Sequence, residues 1–249
     1  MTNIILLVRD RPRLTEQCLR TLYANTPEDQ FNLTIVSDGS MSETLEVIER
    51  CSYRDNRQLI DIHRSIGIVG FLRNIGAAAS ERYFGRGEWL YFSDNDVYFR
   101  AGWLTWMQGI MNCVGENPLR AGVPTLAPLP SVKVLGGYRH PYHGVNQKLG
   151  WSSWGECETT DAVAGYSMLM RWDTFDKYGP FDQHAKGVCQ SEDFSFCQRV
   201  IKDGSYVGYC NPPQIINCGV TNSEGNPAIG HEAFKAQEIP YYAKDIIFE

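Results

Sequence analysis

Asp94-Asn95-Asp96 follows directly on the apolar run Trp89-Leu90-Tyr91-Phe92. Along an extended chain the side chains of residues i and i+2 point the same way, so both carboxylates can face one point beyond the end of a buried strand. In open α/β sheets, the carboxyl ends of the strands are where ligands bind. Two hard oxygen ligands on one side suit Mg²⁺ or Mn²⁺, a cation that also takes diphosphate oxygens. The competing explanation is a solvated turn, since Asp and Asn are common after strands. What favours the cation is the place of the pair, at the end of a fourth strand in an alternating pattern.

A second stretch has the composition of a binding surface. Between Glu116 and Glu156 there is no Asp or Glu, while Arg120, Lys133, Arg139 and Lys148 supply four cations. His140, His143, Tyr138, Tyr142, Trp151 and Trp154 lie among them. Aromatic faces among cations suit stacked sugars, and equally flipped bases and phosphate backbones. The plainer alternative is a solvated loop whose aromatics pack underneath.

The elements that must position these residues alternate in kind. Ile4 to Val8 is a continuous β-rich run, as expected for a strand covered on both faces. Pro12 opens a helical pattern with Leu14, Cys18 and Leu22 on one stripe. Phe31 to Ser37 is a second strand, ended by the turn residues Asp38-Gly39-Ser40. A helix carrying Leu45 and Ile48, a strand around Leu59 to Ile62, a helix from Gly70 to Phe84 and a strand from Glu88 to Ser93 follow. Strands separated by helices imply right-handed crossovers and a mostly parallel sheet, so the fold class is α/β. Ala101 to Val114 is helical, 117–155 is Pro/Gly-rich and expected to be irregular, and Thr160 to Met170 reads as one strand. Helices at 172–178 and from Glu192 to Lys202 complete the body. One domain over 1–249 is expected, with a nucleotide-binding half at 1–100 and an acceptor-binding half at 101–249.

Composition sets the outer limits. With 43% apolar, 12% aromatic and 21% charged residues, the chain can fill a core and is neither disordered nor fibrous. A net charge of −6 argues against a uniformly basic nucleic-acid surface. No apolar run approaches the roughly 18 residues a membrane span needs. Ile4 to Val8 is too short for a secretory signal. Eight scattered cysteines without a C-x-x-C pair read as reduced thiols. Together these features predict a soluble, unprocessed cytoplasmic protein without an integral membrane segment.

Several motifs, in order, resemble the family-2 type of GT-A glycosyltransferases over most of the chain. They are the Ile4–Val8 strand with Arg11-Pro12, Val36-Ser37-Asp38-Gly39-Ser40, Leu72-Arg73-Asn74-Ile75-Gly76-Ala77-Ala78, and Glu88 to Asp96. Later come Lys177-Tyr178-Gly179-Pro180-Phe181-Asp182 and Ser191-Glu192-Asp193, with Arg199 and Gly204 behind them. The resemblance implies a Rossmann-like GT-A fold and transfer of a hexosyl or pentosyl group from a nucleoside-diphosphate sugar, with UDP expected as the nucleotide. It implies Mn²⁺ or Mg²⁺ as cofactor, held by Asp94 and Asp96, with Asp96 the more direct ligand and a late histidine, His231, completing the shell.

By the same resemblance Asp38 contacts the base or ribose and Arg73 the base edge or phosphates, while Asn95 lies with the flanking aspartates at the nucleotide. Val8 and Arg9, in the first strand-to-helix loop, stand where the family usually has a threonine and an aromatic residue. Inverting transfer needs a base for the acceptor hydroxyl proton, and Asp193, with Glu192 beside it, is carried over to that role. A capped, acidic helix start is the structural alternative. Trp172 either walls the sugar pocket or belongs to the core. The acceptor is expected to be a glycan or lipid-linked sugar, or a hydroxymethylated nucleic-acid base. The rival functions are a nucleotidyltransferase, which would normally carry a glycine-rich basic loop after the first strand, and a non-catalytic sugar-binding module.

Overall fold

The computed structural model describes residues 1–116, 131–139, 144–152, 155–183 and 191–219. Its centre is a nine-stranded mixed sheet with the order β3-β2-β1-β4-β9-β6-β10-β8-β7. The first four strands in the chain are β1 (Thr2–Val8), β2 (Phe31–Asp38), β3 (Arg57–Ile62) and β4 (Trp89–Asp94), and all run parallel. β9 (Ser167–Arg171) lies antiparallel between β4 and β6 (Val132–Gly136). β10 (Tyr206–Asn211) is parallel to β6, and β8 (Gly155–Thr160) runs against both β10 and the edge strand β7 (Gln147–Ser152). Only β9 and β8 therefore oppose the common direction. Two short strands, β5 (Val97–Phe99) and β11 (Ile215–Asn217), pair antiparallel outside this sheet.

The helices divide between the two faces because β1 is apolar at every position from Ile4 to Val8. Ile4, Leu6 and Val8 join one core cluster, with Cys18, Leu19 and Leu22 of α1 (Pro12–Asn25), Ile48 of α2 (Ser42–Ser52) and Leu104, Met107 and Met111 of α4 (Trp103–Glu116). Ile5 and Leu7 join the other, with Leu72 and Ala77 of α3 (Val69–Phe84), Trp172 and Tyr178 of α5 (Trp172–Tyr178) and Phe196 and Val200 of α6 (Glu192–Lys202). Each fully buried side chain of this size stabilises the fold by about 1.5–3 kcal/mol. Burial on both faces is what makes a parallel central strand read as an unbroken hydrophobic run.

The expected single strand from Thr160 to Met170 is two strands. β8 ends at Thr160 and β9 begins at Ser167, with Asp161 to Tyr166 turning between them. The turn residues Ala162, Val163 and Ala164 are buried, so they carry the apolar signature of a strand without its extension. The stretch expected to be irregular also contains β6 and β7, and the chain after α6 adds β10 and β11. These strands are short, include Gly, Cys and Asn, and exist through their pairing partners rather than through local propensity. Trp172 belongs to the core at 5% exposure and is no pocket wall, its indole N–H donating to Asn3 Oδ1 at 3.2 Å.

Candidate active site

The parallel strands β1, β2 and β4 end together, and the side chains singled out above gather around those ends. β1 finishes at Val8, whose side chain is in the core and whose carbonyl accepts from Ser40 Oγ at 3.4 Å. Half-buried Arg9 follows, and the chain then passes through two left-handed residues, Asp10 (φ 50°) and Arg11 (φ 58°, ψ 61°). Neither is glycine, so each carries strain of about 1–2 kcal/mol that the surroundings must hold.

The holding groups come from the D-N-D segment. Asn95 Nδ2 donates to the Asp10 carbonyl at 2.9 Å and to Thr15 Oγ1 at 2.7 Å. Arg11 Nη1 donates to Asp96 Oδ2 at 2.5 Å, in a pair whose side chains are 13% and 17% exposed. Asp10 itself accepts the Met41 N–H at 2.8 Å, which ties this loop to the one after β2. Asn95, expected at the nucleotide, is thus buried and directs its amide nitrogen into the protein.

Asp38 ends β2 and is also turned inward. Its carboxylate accepts from Ser65 Oγ at 2.8 Å, the Ile66 N–H at 2.6 Å and the Gly67 N–H at 3.1 Å. A carboxylate offers about four acceptor positions, and three of them here shape the loop between β3 and α3.

Arg73, on α3, is the most buried charge in this region at 2% exposure. Nη1 donates to Glu192 Oε1 at 2.6 Å and Nη2 to Asp94 Oδ1 at 3.3 Å. The guanidinium lies against Gly165, where an added Cβ would come within 2.1 Å of Nη1 and 2.2 Å of Nη2 and would displace it. The Gly165 N–H donates to Asp193 Oδ2 at 2.8 Å, and the Phe194 N–H donates to Oδ1 at 2.7 Å. Each Asp193 oxygen therefore keeps a second acceptor position. Next to Arg73, Asn74 clasps the backbone of Phe181, donating from Nδ2 to its carbonyl at 2.8 Å and accepting its N–H at 2.9 Å. One arginine-asparagine pair thus joins the end of β4, the start of α6 and the loop after α5. The start of α6 is not a side-chain cap: Ser191 is left-handed (φ 58°) and makes no capping bond.

Electrostatically, four carboxylates (Asp94, Asp96, Glu192, Asp193) face two guanidiniums here. Burial pushes the Glu192 carboxyl up, against Arg73 and with help from Asp193. Burial likewise raises Asp96, with Arg11 pulling back and Asp94 adding to the rise. Burial opposes the charge on Arg73, but Glu192, Asp94 and Asp193 outweigh it, and its pKa is raised above the ordinary arginine value. Such a corner carries surplus negative charge and favours a cation.

The donor set fits a hard divalent ion. Asp96 Oδ1 is buried without a hydrogen-bond partner among the described residues, and Asp94, 37% exposed, bonds Arg73 through Oδ1 alone. Among the described residues no three His, Cys, Asp or Glu side chains surround one point, so other oxygen ligands would have to complete the shell. His231 lies outside the described residues.

The acid-free stretch is less basic in space than in sequence. Lys148, 58% exposed, lies 2.9 Å from Glu156 and 3.5 Å from Glu158 across the β7–β8 pair. Arg120, His140, Tyr142, His143 and Trp154 lie outside the described residues, and Lys133, Tyr138 and Arg139 are half-buried. Sequence reasoning treats Arg11 and Asn74 only as letters of a pattern and passes over Gly165. No local signal marks them, since Arg11 meets a partner 85 residues away and Asn74 one 107 residues away.

Residues 3–112 match the family model described as Glycosyl transferase family 2. Among solved structures, the chain is similar to the mannosyltransferase PcManGT from Pyrobaculum calidifontis, solved in complex with GDP-Man and Mn²⁺. The two share 14% identity at a TM-score of 0.54, over 85% of this chain and 54% of that one. It is similar to S. aureus TarS 1–349 in complex with UDP-GlcNAc, at 15% identity and TM-score 0.61, covering 86% and 57%. GalNAc-T7 with UDP, GalNAc and Mn²⁺ gives 12% identity and TM-score 0.59, covering 84% and 42%. The chain thus spans about half the length of these solved chains and shares their fold. No curated protein matches it. No helix among the described residues is long and apolar enough to cross a membrane.

Proposed function

We propose that the protein moves a sugar from a nucleoside-diphosphate sugar, with UDP the first nucleotide to test, to an acceptor hydroxyl, a reading supported by the match of residues 3–112 to the Glycosyl transferase family 2 model. The observation that carries this is the convergence of Arg73 on both Asp94 and Glu192, which brings the D-N-D segment and the Glu192-Asp193 pair to one corner of the sheet.

Asp94 and Asp96 would hold the cation, Mn²⁺ or Mg²⁺, beside the diphosphate, with His231 a candidate third ligand. When bound, the ion supplies Lewis-acid stabilisation of the charge that develops on the leaving diphosphate. Asp193 takes the proton of the acceptor hydroxyl as its oxygen forms the new bond to the anomeric carbon and the bond to the diphosphate breaks, which inverts that carbon. The two backbone N–H groups on Asp193 fix the orientation of its carboxylate for this step. Arg73 pins Asp94 and Glu192, so the acidic side chains keep their places as the ligand arrives. Val8 and Arg9 border the nucleotide with the backbone of the first loop, and Asp38 shapes the adjoining 65–67 loop.

The acceptor we take first is a carbohydrate hydroxyl, on a glycan or a lipid-linked sugar, because Lys148 is paired with Glu156 and Glu158 and leaves less positive charge for a phosphate backbone. A gel shift and sugar incorporation with hydroxymethylated DNA would reverse that order.

Thermal-shift titration with UDP, GDP, CDP and dTDP sugars, with and without Mn²⁺, identifies the donor, since a ligand bound only by the native state raises the melting point. Asp96→Ala should abolish transfer and weaken nucleotide binding. Asp193→Asn should lower transfer by about 10²–10⁴-fold and leave nucleotide binding intact. Wild-type turnover by both variants would overturn the assignment.

A further inference from the structure

The strongest feature the proposed mechanism leaves unused is the ion pair of Arg11 with Asp96. Three observations single it out. Arg11 and the residue before it are both left-handed; Asn95, Thr15, Ser40 and Met41 hold Asp10, while among the described residues Asp96 alone holds the Arg11 side chain. The pair is shielded: the Gly219 backbone sits over it so closely that a Cβ there would fall 2.0 Å from Asp96 Oδ2 and 2.8 Å from Arg11 Nη1. Within the same carboxylate, Oδ1 is buried and has no partner among the described residues, although Oδ2 is tightly engaged.

A carboxylate so arranged is half neutralised. Its satisfied oxygen faces a guanidinium, a group whose planar fork matches phosphate oxygens as well as carboxylates. Its unsatisfied oxygen, buried and without a partner among the described residues, is the position left for a second cation. A cation and a guanidinium on one carboxylate repel each other, so ion binding and the Arg11–Asp96 bond compete.

We propose that Arg11 is an exchanging counterion: in the free protein it stands in for the divalent cation on Asp96, and on donor binding its guanidinium passes to the diphosphate while the cation takes Asp96. This rests on the glycosyltransferase reading above and adds a positioning residue and an order of events to it. Cation affinity is low in the free protein and rises when a diphosphate is present to receive Arg11. A nucleoside monophosphate, with one phosphate fewer, raises it less. The coupling between the two ligands must be reciprocal, so Mn²⁺ strengthens diphosphate binding by the same factor.

The test is Mn²⁺ binding to the full chain, followed by electron paramagnetic resonance of the free ion, without nucleotide, with UMP and with UDP. Wild type should bind Mn²⁺ more tightly with UDP by about 5–150-fold, the usual span of such couplings. Arg11→Gln should bind Mn²⁺ more tightly than wild type in the absence of nucleotide, and its gain on adding UDP should shrink. Arg11→Lys, which keeps a charge but not the fork, should restore the weak nucleotide-free affinity, and circular dichroism melts confirm that both variants are folded. If wild type shows the UDP effect but Arg11→Gln binds nucleotide-free Mn²⁺ no more tightly than wild type, the exchange is wrong and the glycosyltransferase reading stands. If wild type binds no Mn²⁺ even with UDP, the cation reading itself falls and the exchange falls with it.

Discussion

Two arginine–carboxylate corners lie within the same site and differ in everything except their chemistry. Arg73 is 2% exposed, bonds two carboxylates from separate elements, and rests on a glycine where any Cβ would displace its guanidinium. Arg11 bonds one carboxylate, from a backbone in left-handed strain, and is 13% exposed. The first is framework: removing it leaves buried charge with nowhere to go. The second is replaceable, because its partner can accept another cation. Burial and backbone state, not the identity of the paired groups, decide which arginine positions the site and which one can move within it.

The contrast breaks most sharply at Arg73. Arg73→Met leaves Glu192, 6% exposed, without its guanidinium, and breaking a buried pair from one side costs about 3–5 kcal/mol. Urea denaturation should show that loss with an unchanged m-value. Adding Glu192→Gln to the same chain should recover part of it, since removing both partners of a buried pair is far milder. A loss below about 1 kcal/mol, the range of an exposed pair, would dissolve the distinction from Arg11.

Asn74 tests whether the framework extends beyond the ion pairs. Asn74→Ala strands the Phe181 N–H and carbonyl, and an unsatisfied buried group costs about 1–3 kcal/mol. Because Asn74 holds the loop before α6 rather than Arg73 itself, its loss should add to that of Arg73→Met only in part, as expected for residues that share neighbours. Full additivity in a double-mutant cycle would show the two acting independently.

The difference between the corners also marks where sequence ceases to be informative. The parallel half was legible where a strand is apolar on both faces and a helix carries one stripe, as in Ile4 to Val8 and Leu14, Cys18 and Leu22. Asp94 could be placed at a strand end from the apolar run before it, whereas Asn95 and Asp96 turn between β4 and β5, where period-two geometry does not apply. The antiparallel half was not legible: β8 and β9 merged into one run because the buried turn between them is as apolar as a strand, and β10 and β11 carry little local signal. Within the site, Asp38 and Asn95 have the residue types of ligand contacts, but their hydrogen bonds to 65–67 and to Asp10 follow from loop conformations that no spacing encodes. Lys148 read as a free cation for the same reason, since its pairing with Glu156 and Glu158 requires the β7–β8 register.

The smallest expected effect on stability belongs to Arg11. Arg11→Gln removes one ion pair from a site whose carboxylate is 17% exposed and can recruit solvent, a proton or an added cation in its place. The loss should be about 1–2 kcal/mol, between the cost for an exposed pair and for a buried one, and below that for Arg73→Met. The informative quantity is the response to Mn²⁺ rather than the loss itself. In urea titrations without nucleotide, saturating Mn²⁺ should stabilise Arg11→Gln more than wild type, because ligand that binds only the folded state stabilises it in proportion to the logarithm of its affinity. Arg73→Met, which frees Asp94 Oδ1 as well as Glu192, should gain less than Arg11→Gln, since it leaves Asp96 Oδ2 paired with Arg11. Equal Mn²⁺ responses in the two variants would mean that the corners are exchangeable with each other, and the division between framework and movable counterion would have to be drawn elsewhere.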